Sequence, residues 1–311
     1  MLAIVCPGQG SQSPGFLEPW LELPGLAETL NEWSEATKVD LVTHGTTSDE
    51  ETIKDTAVAQ PLIVAAGLLA ARALEINDLT PDTWLTAGHS VGEITAASLS
   101  NVLSPEDALG FVRVRAQGMA AAAAAEPTGM AAVLGGDQAD VISYLENMNI
   151  TPANVNGGGQ VVAAGSKDAL ATLADNPPAK TRVIELKVAG AFHTQYMSSA
   201  VAELENSAHS LSVNDPNVVL VSNSDGSVVA SGQVFLDRLI SQVTSPVRWD
   251  LCQATMLERG VTGVLELLPG GTLTGIARRA MKGVKTLAIK TPADLDKAQN
   301  FIAEHTENIT A

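Results

Sequence analysis

The chain has 311 residues, which suits one large domain or a large domain carrying a smaller insert. With 45% hydrophobic but only 4% aromatic residues, its core has to be built from Ala, Val, Leu and Ile, as in helices packed on a parallel sheet. A net charge of −17 argues against nucleic acid as the main partner. The two distant cysteines, Cys6 and Cys252, have no metal-ligand spacing and read as buried free thiols.

In chain order, Met1–Cys6 reads as an apolar strand entering the fold directly, without the basic start and apolar run of a secretory leader. The turn Pro7-Gly8-Gln9-Gly10 follows. Helical patterns cover Leu26–Thr37 and Gln60–Ile76, then a strand covers Asp82–Gly88 and a helix Ile94–Val102. Ser104-Pro105-Glu106-Asp107 is a strong helix start, with a Ser cap, Pro at the first position and acids in the first turn. That helix carries Arg113 and Arg115 and ends in the run Ala120–Ala125.

Between Glu126 and Gly190 the rhythm changes. Strands are expected at Gly129–Leu134, Pro152–Asn156, Gln160–Ala164 and Arg182–Val188, with helices at Asp137–Met148 and Lys167–Ala174 and a turn at Gly157-Gly158-Gly159. This β-α-β-β-α-β order is that of a ferredoxin-like unit, so residues 126–190 read as a small subdomain inserted between 1–125 and 191–311. Beyond it, helices are expected at Gln195–Leu211, Gln233–Val243, Trp249–Glu258, Leu273–Ala280 and Ala293–His305. They alternate with strands at Val218–Ser222, Gly263–Leu267 and Val284–Ile289, the pattern of a parallel α/β sheet. No stretch reaches the roughly 18 consecutive apolar residues of a membrane span, so a cytoplasmic chain with no membrane partner is expected. Leu267–Ala293 holds Arg278, Arg279, Lys282, Lys285 and Lys290 and no acid. It is either a solvated face or the local basic patch that an acidic partner of this chain would need.

The sharpest chemical signal is Gly88-His89-Ser90-Val91-Gly92-Glu93. A strand ends, a serine sits at the turn and a helix begins, the arrangement of a nucleophile elbow. Glycines on both sides remove side chains that would clash where strand and helix pack closely. The helix N-terminus adds positive partial charge near a developing oxyanion. Among the histidines, His44 lies in a polar loop segment, His209 reads as solvated, and His305 sits in a last helical turn where a cation complements the dipole. His89 should face away from its neighbour Ser90. His193, at a strand–helix junction in Gly190-Ala191-Phe192-His193-Thr194, is the preferred base. An oxyanion hole needs two N–H groups: Val91 after the nucleophile supplies one, and Gln9, between two glycines, the other. A dinucleotide loop is the rival reading of that turn, but Ser13 occupies the place of its third glycine.

Together, Gly8-Gln9-Gly10, Gly-His-Ser-x-Gly-Glu and Ala191-Phe192-His193 resemble the malonyl-CoA:acyl-carrier-protein transacylases of fatty-acid synthesis. So do Ala153-Asn154-Val155-Asn156, Gly165, Ser222-Asn223, Pro246-Val247-Arg248-Trp249 and Pro269-Gly270-Gly271, and the resemblance spans nearly the whole chain. It implies an α/β-hydrolase-like body with a ferredoxin-like insert, Ser90 acylated in a ping-pong transfer, and His193 as base. It also implies a backbone carbonyl near Arg248, rather than a carboxylate, orienting the imidazole. Arg115 matches the family's carboxylate-binding arginine, although Ala116 replaces the usual glycine after it. Arg113 competes for the role, but Met119, four residues beyond Arg115, also matches the pattern. A guanidinium can hold a malonyl carboxylate with two hydrogen bonds, and an acetyl group cannot repay its burial. In this family Phe before the base, here Phe192, goes with malonyl rather than methylmalonyl. His89 and Asn156, in two of the matching motifs, join Arg115, Met119 and Phe192 as expected substrate-binding residues. The implied partners are malonyl-CoA and an acyl carrier protein, with Arg278, Arg279 and Lys282 as a candidate docking patch. Neither metal nor redox cofactor is implied, and a monomer is expected. The rivals are a serine esterase or thioesterase, an acyltransferase serving a polyketide synthase, and a non-catalytic carrier-binding module.

Overall fold

The computed structural model describes residues 1–306 of the chain. The strand β1 (Leu2–Cys6) is five apolar residues, all buried, because both of its faces are covered. Then come α1 (Leu26–Thr37), α2 (Leu41–Thr46), α3 (Glu50–Lys54) and α4 (Thr56–Ala73). The short helices α2 and α3 have no amphipathic run to announce them. Each is held by an aspartate cap: Asp40 accepts the Thr43 N–H at 2.9 Å and Asp49 the Thr52 N–H at 2.8 Å. His44 therefore lies in α2 and not in a loop. Asp55 caps α4, so this helix starts four residues before the apolar run that predicts it.

By length and composition α4 could cross a membrane, with a mean hydropathy of 1.5, although its apolar run is broken by polar residues. It is a core helix: 78% of it is buried, much of it against α6 (Pro105–Ala125). Before α6 come β2 (Trp84–Gly88) and α5 (Gly92–Leu99). Ser104 accepts the Asp107 N–H at 3.0 Å, which is the cap expected from its sequence.

The middle segment holds β3 (Thr128–Gly135), α7 (Gln138–Asn147), β4 (Thr151–Gly157), β5 (Gln160–Ser166), α8 (Lys167–Asp175) and β6 (Thr181–Leu186). Its strands form an antiparallel sheet in the order β4-β5-β3-β6. Both faces are used, with the period-2 alternation of a strand. Ala131, Val133, Val161 and Ala163 face α7 and α8, while Met130, Val162 and Ala164 join the main core. The remaining elements are α9 (Val201–Ala208), β7 (Val219–Val221), α10 (Gly232–Ser241), α11 (Trp249–Glu258), β8 (Gly263–Glu266), α12 (Thr272–Ala280), β9 (Lys285–Ala288) and α13 (Leu295–Thr306). Where one helix is expected at Gln195–Leu211, a 3-10 turn over Gln195–Ala200 precedes α9.

The second sheet is all parallel, in the order β7-β2-β1-β8-β9. The fold is thus mixed α/β with one parallel and one antiparallel sheet. After β1 the chain adds β2 on one side, and later β8 on the other. The carboxyl ends of β1 and β2 therefore face the place where α/β sheets bind ligands. The β4 edge of the antiparallel sheet is tied to the segment just before α11 through Val247, whose N–H donates to Ala153 O and whose carbonyl accepts from Val155 N–H, both at 2.9 Å. His305 sits in the last turn of α13, as expected. It is buried against the start of β8, with Nδ1 2.8 Å from Thr262 Oγ1, and burial lowers its pKa.

The elbow sets the closest backbone approach. A Cβ on Gly92 would lie 2.2 Å from Cys6 O, and one on Gly88 only 1.9 Å from the Gly92 carbonyl carbon. Neither neighbour can move without shifting β1 or α5. Gly92→Ala is therefore expected to destabilise the fold by ~2 kcal/mol or more, as overpacking does, seen as a lowered Tm in thermal denaturation. An unchanged Tm would mean that the helix and strand are less tightly packed than described here.

Candidate active site

Ser90 has φ 54°, in the left-handed region where a side chain costs about 1–3 kcal/mol. The turn holds this conformation from both sides. The Ser90 N–H donates to Asn223 Oδ1 at 2.9 Å, and Asn223 Nδ2 donates to Gly88 O at 2.7 Å. The residue that the sequence assigns only to a matching motif, Asn223, is thus the brace of the elbow.

Ser90 Oγ lies 2.7 Å from His193 Nε2. The other ring nitrogen, Nδ1, donates to a backbone carbonyl at 2.8 Å, which fixes the tautomer and leaves Nε2 as acceptor of the serine proton. That carbonyl belongs to Gln242, and this corrects the expectation of one near Arg248. Arg248 lies at the N-terminus of α11, where its N–H donates to Asn223 O and its side chain pairs with Asp250. Gln242, in the turn after α10, is the residue that reaches the imidazole.

Arg115 is 1% exposed. Nη1 donates to Gln60 Oε1 at 2.6 Å, and Nη2 to Gln242 Oε1 at 2.7 Å, with Ser90 Oγ 3.4 Å from the same nitrogen. Gln60 in turn donates to Met119 Sδ at 3.6 Å. Its amide oxygen is thereby directed at the guanidinium, and Met119 supports the arginine as well as lining the cleft. Neither arginine of α6 lines the cleft directly, but Arg115 stands behind Ser90, 3.4 Å from its Oγ. Neither Gln60 nor Gln242 carries a sequence signal: Gln60 sits in an apolar helix and Gln242 at a helix end.

Ser90, His193, Gln60 and Met119 line a cleft of about 270 Å³. Gln9 and Val91 lie on one wall, with the Gln9 side chain tied to Lys54 O at 3.3 Å. Phe192, Met130 and Val162 make an apolar wall. His89 turns away from the serine as expected, with Nε2 2.8 Å from Asn156 Oδ1, and both line the cleft. Arg278, Arg279 and Lys282 lie outside it, exposed at the far end of α12, whose first turn (Thr272, Leu273) reaches the lining.

Burial, and then the charge of Arg115, lowers the His193 pKa to about 3 from 6.5. Burial raises Glu93 to about 8 and lowers Arg115 to about 10. The signs follow by linkage. Between 6.5 and 3 the unfolded chain protonates His193 and the folded one does not, so this group costs stability as pH falls through that window. Glu93 acts oppositely: its contribution is lost as pH rises from 4.5 to 8. A neutral base at Ser90 also means that labelling of this serine by a neutral fluorophosphonate should hold steady from about pH 8 to 5 and fall only near pH 3 to 4. A midpoint near the ordinary histidine value would contradict the buried, neutral imidazole.

Residues 3–306 match the acyl transferase domain family. The malonyl CoA-acyl carrier protein transacylase of Mycobacterium tuberculosis is 50% identical over 302 residues, covering 97% of this chain and all of that protein. The Bacillus subtilis protein of the same name is 30% identical over 317 residues, 99% of each chain. Among solved structures, MCAT from Mycobacterium tuberculosis superimposes with a TM-score of 0.92 at 50% identity, covering 96% of this chain and 100% of that one. The acyl-carrier-protein S-malonyltransferase of Burkholderia pseudomallei gives 0.88 at 31% identity, covering 96% and 99%. The chain is an acyltransferase that belongs to the acyl transferase domain family and, within it, to the malonyl CoA-acyl carrier protein transacylases.

Proposed function

We propose that the chain transfers malonyl from malonyl-CoA to the phosphopantetheine thiol of an acyl carrier protein, for fatty-acid synthesis, through a malonyl ester on Ser90. The observation that carries this reading is the buried Arg115 guanidinium, 3.4 Å from the nucleophile and held by neutral amides. It is a cation built in at the one place where a carboxylate of the acyl group would lie. A simple esterase has no use for it, and neither does a scaffold.

In the first half-reaction His193 Nε2 takes the Ser90 proton while Oγ attacks the thioester carbonyl. The Gln9 and Val91 N–H groups hold the oxyanion. Collapse expels coenzyme A, which takes the proton from His193 and leaves the malonyl ester. The carrier thiol then repeats the sequence, giving its proton to His193 and releasing Ser90. Each proton and each developing charge is assigned to a side chain or a backbone N–H, so this path requires no metal or redox cofactor. His193 has a carbonyl behind it where a triad would have a carboxylate, so a dyad suffices. Phe192 fills the space beside the acyl carbon that a methyl branch would need.

The parallel-sheet part serves as an α/β-hydrolase-like body, 1–125 with 191–311, in that it presents a nucleophile elbow at the end of a central strand. Residues 126–190 act as the insert that closes the cleft. The cations Arg278, Arg279 and Lys282 form the carrier-docking patch, at the end of the helix whose start lines the cleft. A monomeric, cytoplasmic chain accords with this role.

Intact-protein mass after mixing with malonyl-CoA alone tests the reading. A malonyl adduct is expected on the wild type and not on Ser90→Ala, and carrier protein should remove it as malonyl-carrier. Charge reversal at Arg278 and Arg279 should slow that removal several-fold without slowing loading, the behaviour of an exposed patch that steers association. Free malonate with no adduct would point instead to a hydrolase.

A further inference from the structure

Glu93 is 1% exposed and has no part in the chemistry above. Its carboxyl group nevertheless lies behind both working groups. One oxygen accepts the Asn223 N–H at 2.6 Å, and the other accepts from Gln242 Nε2. The Gln242 amide has one orientation that satisfies its neighbours. Its oxygen receives Arg115, so its NH2 must find acceptors, and those are Glu93, Ser90 O at 3.3 Å and Asn223 Oδ1 at 3.4 Å. A donor in the place of Glu93 would favour the flipped amide and set an NH2 group against the guanidinium. The backbone carbonyl of the same residue orients His193. Asn223, held at its N–H by Glu93, braces the elbow.

We propose that Glu93 is a positioning residue for both halves of the transfer. By fixing Gln242 it keeps a neutral oxygen on Arg115, leaving that cation free for the acyl carboxylate, and holds the carbonyl that aims His193 at Ser90. This role rests on the malonyl-transfer reading. A carboxylate placed directly on Arg115 would cancel the clamp, whereas the Glu93 carboxyl group, an amide away, orders it and leaves the cation available. The two charge-assisted contacts of the arginine stay with amide oxygens, and Glu93 touches only the far side of the Gln242 amide.

The test compares wild type, Glu93→Gln, Gln242→Ala, which keeps the backbone carbonyl, and the double variant, each checked for folding by circular dichroism. Acylation of Ser90 is timed with malonyl-CoA and with acetyl-CoA, and labelling by a neutral fluorophosphonate reports the serine–histidine pair alone. Glu93→Gln should slow malonyl loading roughly 10- to 100-fold, the effect of one broken hydrogen bond to a charged group, and slow the neutral label less. Its preference for malonyl over acetyl should shrink. The double variant should be no slower than Gln242→Ala, because both changes cut one path. Unchanged preference in Glu93→Gln, or effects that multiply in the double variant, would overturn the proposal. If Glu93→Gln does not fold, Gln242→Ala decides: retention of the full malonyl preference there also overturns it. A wild type that takes the neutral label but no malonyl would fault the transfer reading, and the label would then decide the positioning role by whether Glu93→Gln slows it.

Discussion

A single buried cation sets the terms for this site. Arg115 cannot lose its charge easily, and taking it out of water costs several kcal/mol that the surroundings must offset. Direct pairing with a carboxylate would be the simplest answer, but it would leave nothing for a substrate. The protein uses two amide oxygens, from Gln60 on α4 and Gln242 after α10, each a charge-assisted bond of about 1.5–3 kcal/mol. Their placement requires α4, α6 and the end of α10 to converge on one point, and the close packing of α4 on α6 delivers it. The neighbouring imidazole feels the same charge, which helps to keep His193 neutral and able to accept a proton.

The elbow imposes the second constraint. A serine at φ 54° is strained, and the strain persists because hydrogen bonds from Asn223 and the contact of Gly88 with Gly92 leave it no alternative. This points Oγ into the cleft. The antiparallel sheet then completes the walls. Its β4 edge is tied to Val247, so the cleft lies between parts of one hydrogen-bonded framework.

Much of this was legible in the residues. The helices Leu26–Thr37 and Trp249–Glu258 occur with the predicted limits, and the β-α-β-β-α-β rhythm of the middle segment gives the observed antiparallel sheet. Ser90 and His193 stand out because glycines and a strand–helix junction mark them. Gln242 does not, since its contact with His193 spans 49 positions and uses a backbone atom that any residue could supply. The resemblance put that carbonyl near Arg248, six residues too far along, at a helix start that is already engaged with Asn223. Gln60 is silent for a different reason: a polar residue in an apolar helix announces burial but not its partner. Glu93 was in plain view within the serine motif. Its role depends on two partners 130 and 149 residues away, which only the fold brings together.

The most direct test of the account is the acyl preference of an Arg115→Ala chain. Single-turnover loading of Ser90 should show wild type favouring malonyl-CoA over acetyl-CoA. The variant should lose roughly 30-fold or more on malonyl, the lower end for a broken buried charge contact, while its rate with acetyl-CoA holds or rises. Equal losses on both acyl groups would mean that the guanidinium supports the fold of the site without reading the carboxylate, and the account would fail at its centre.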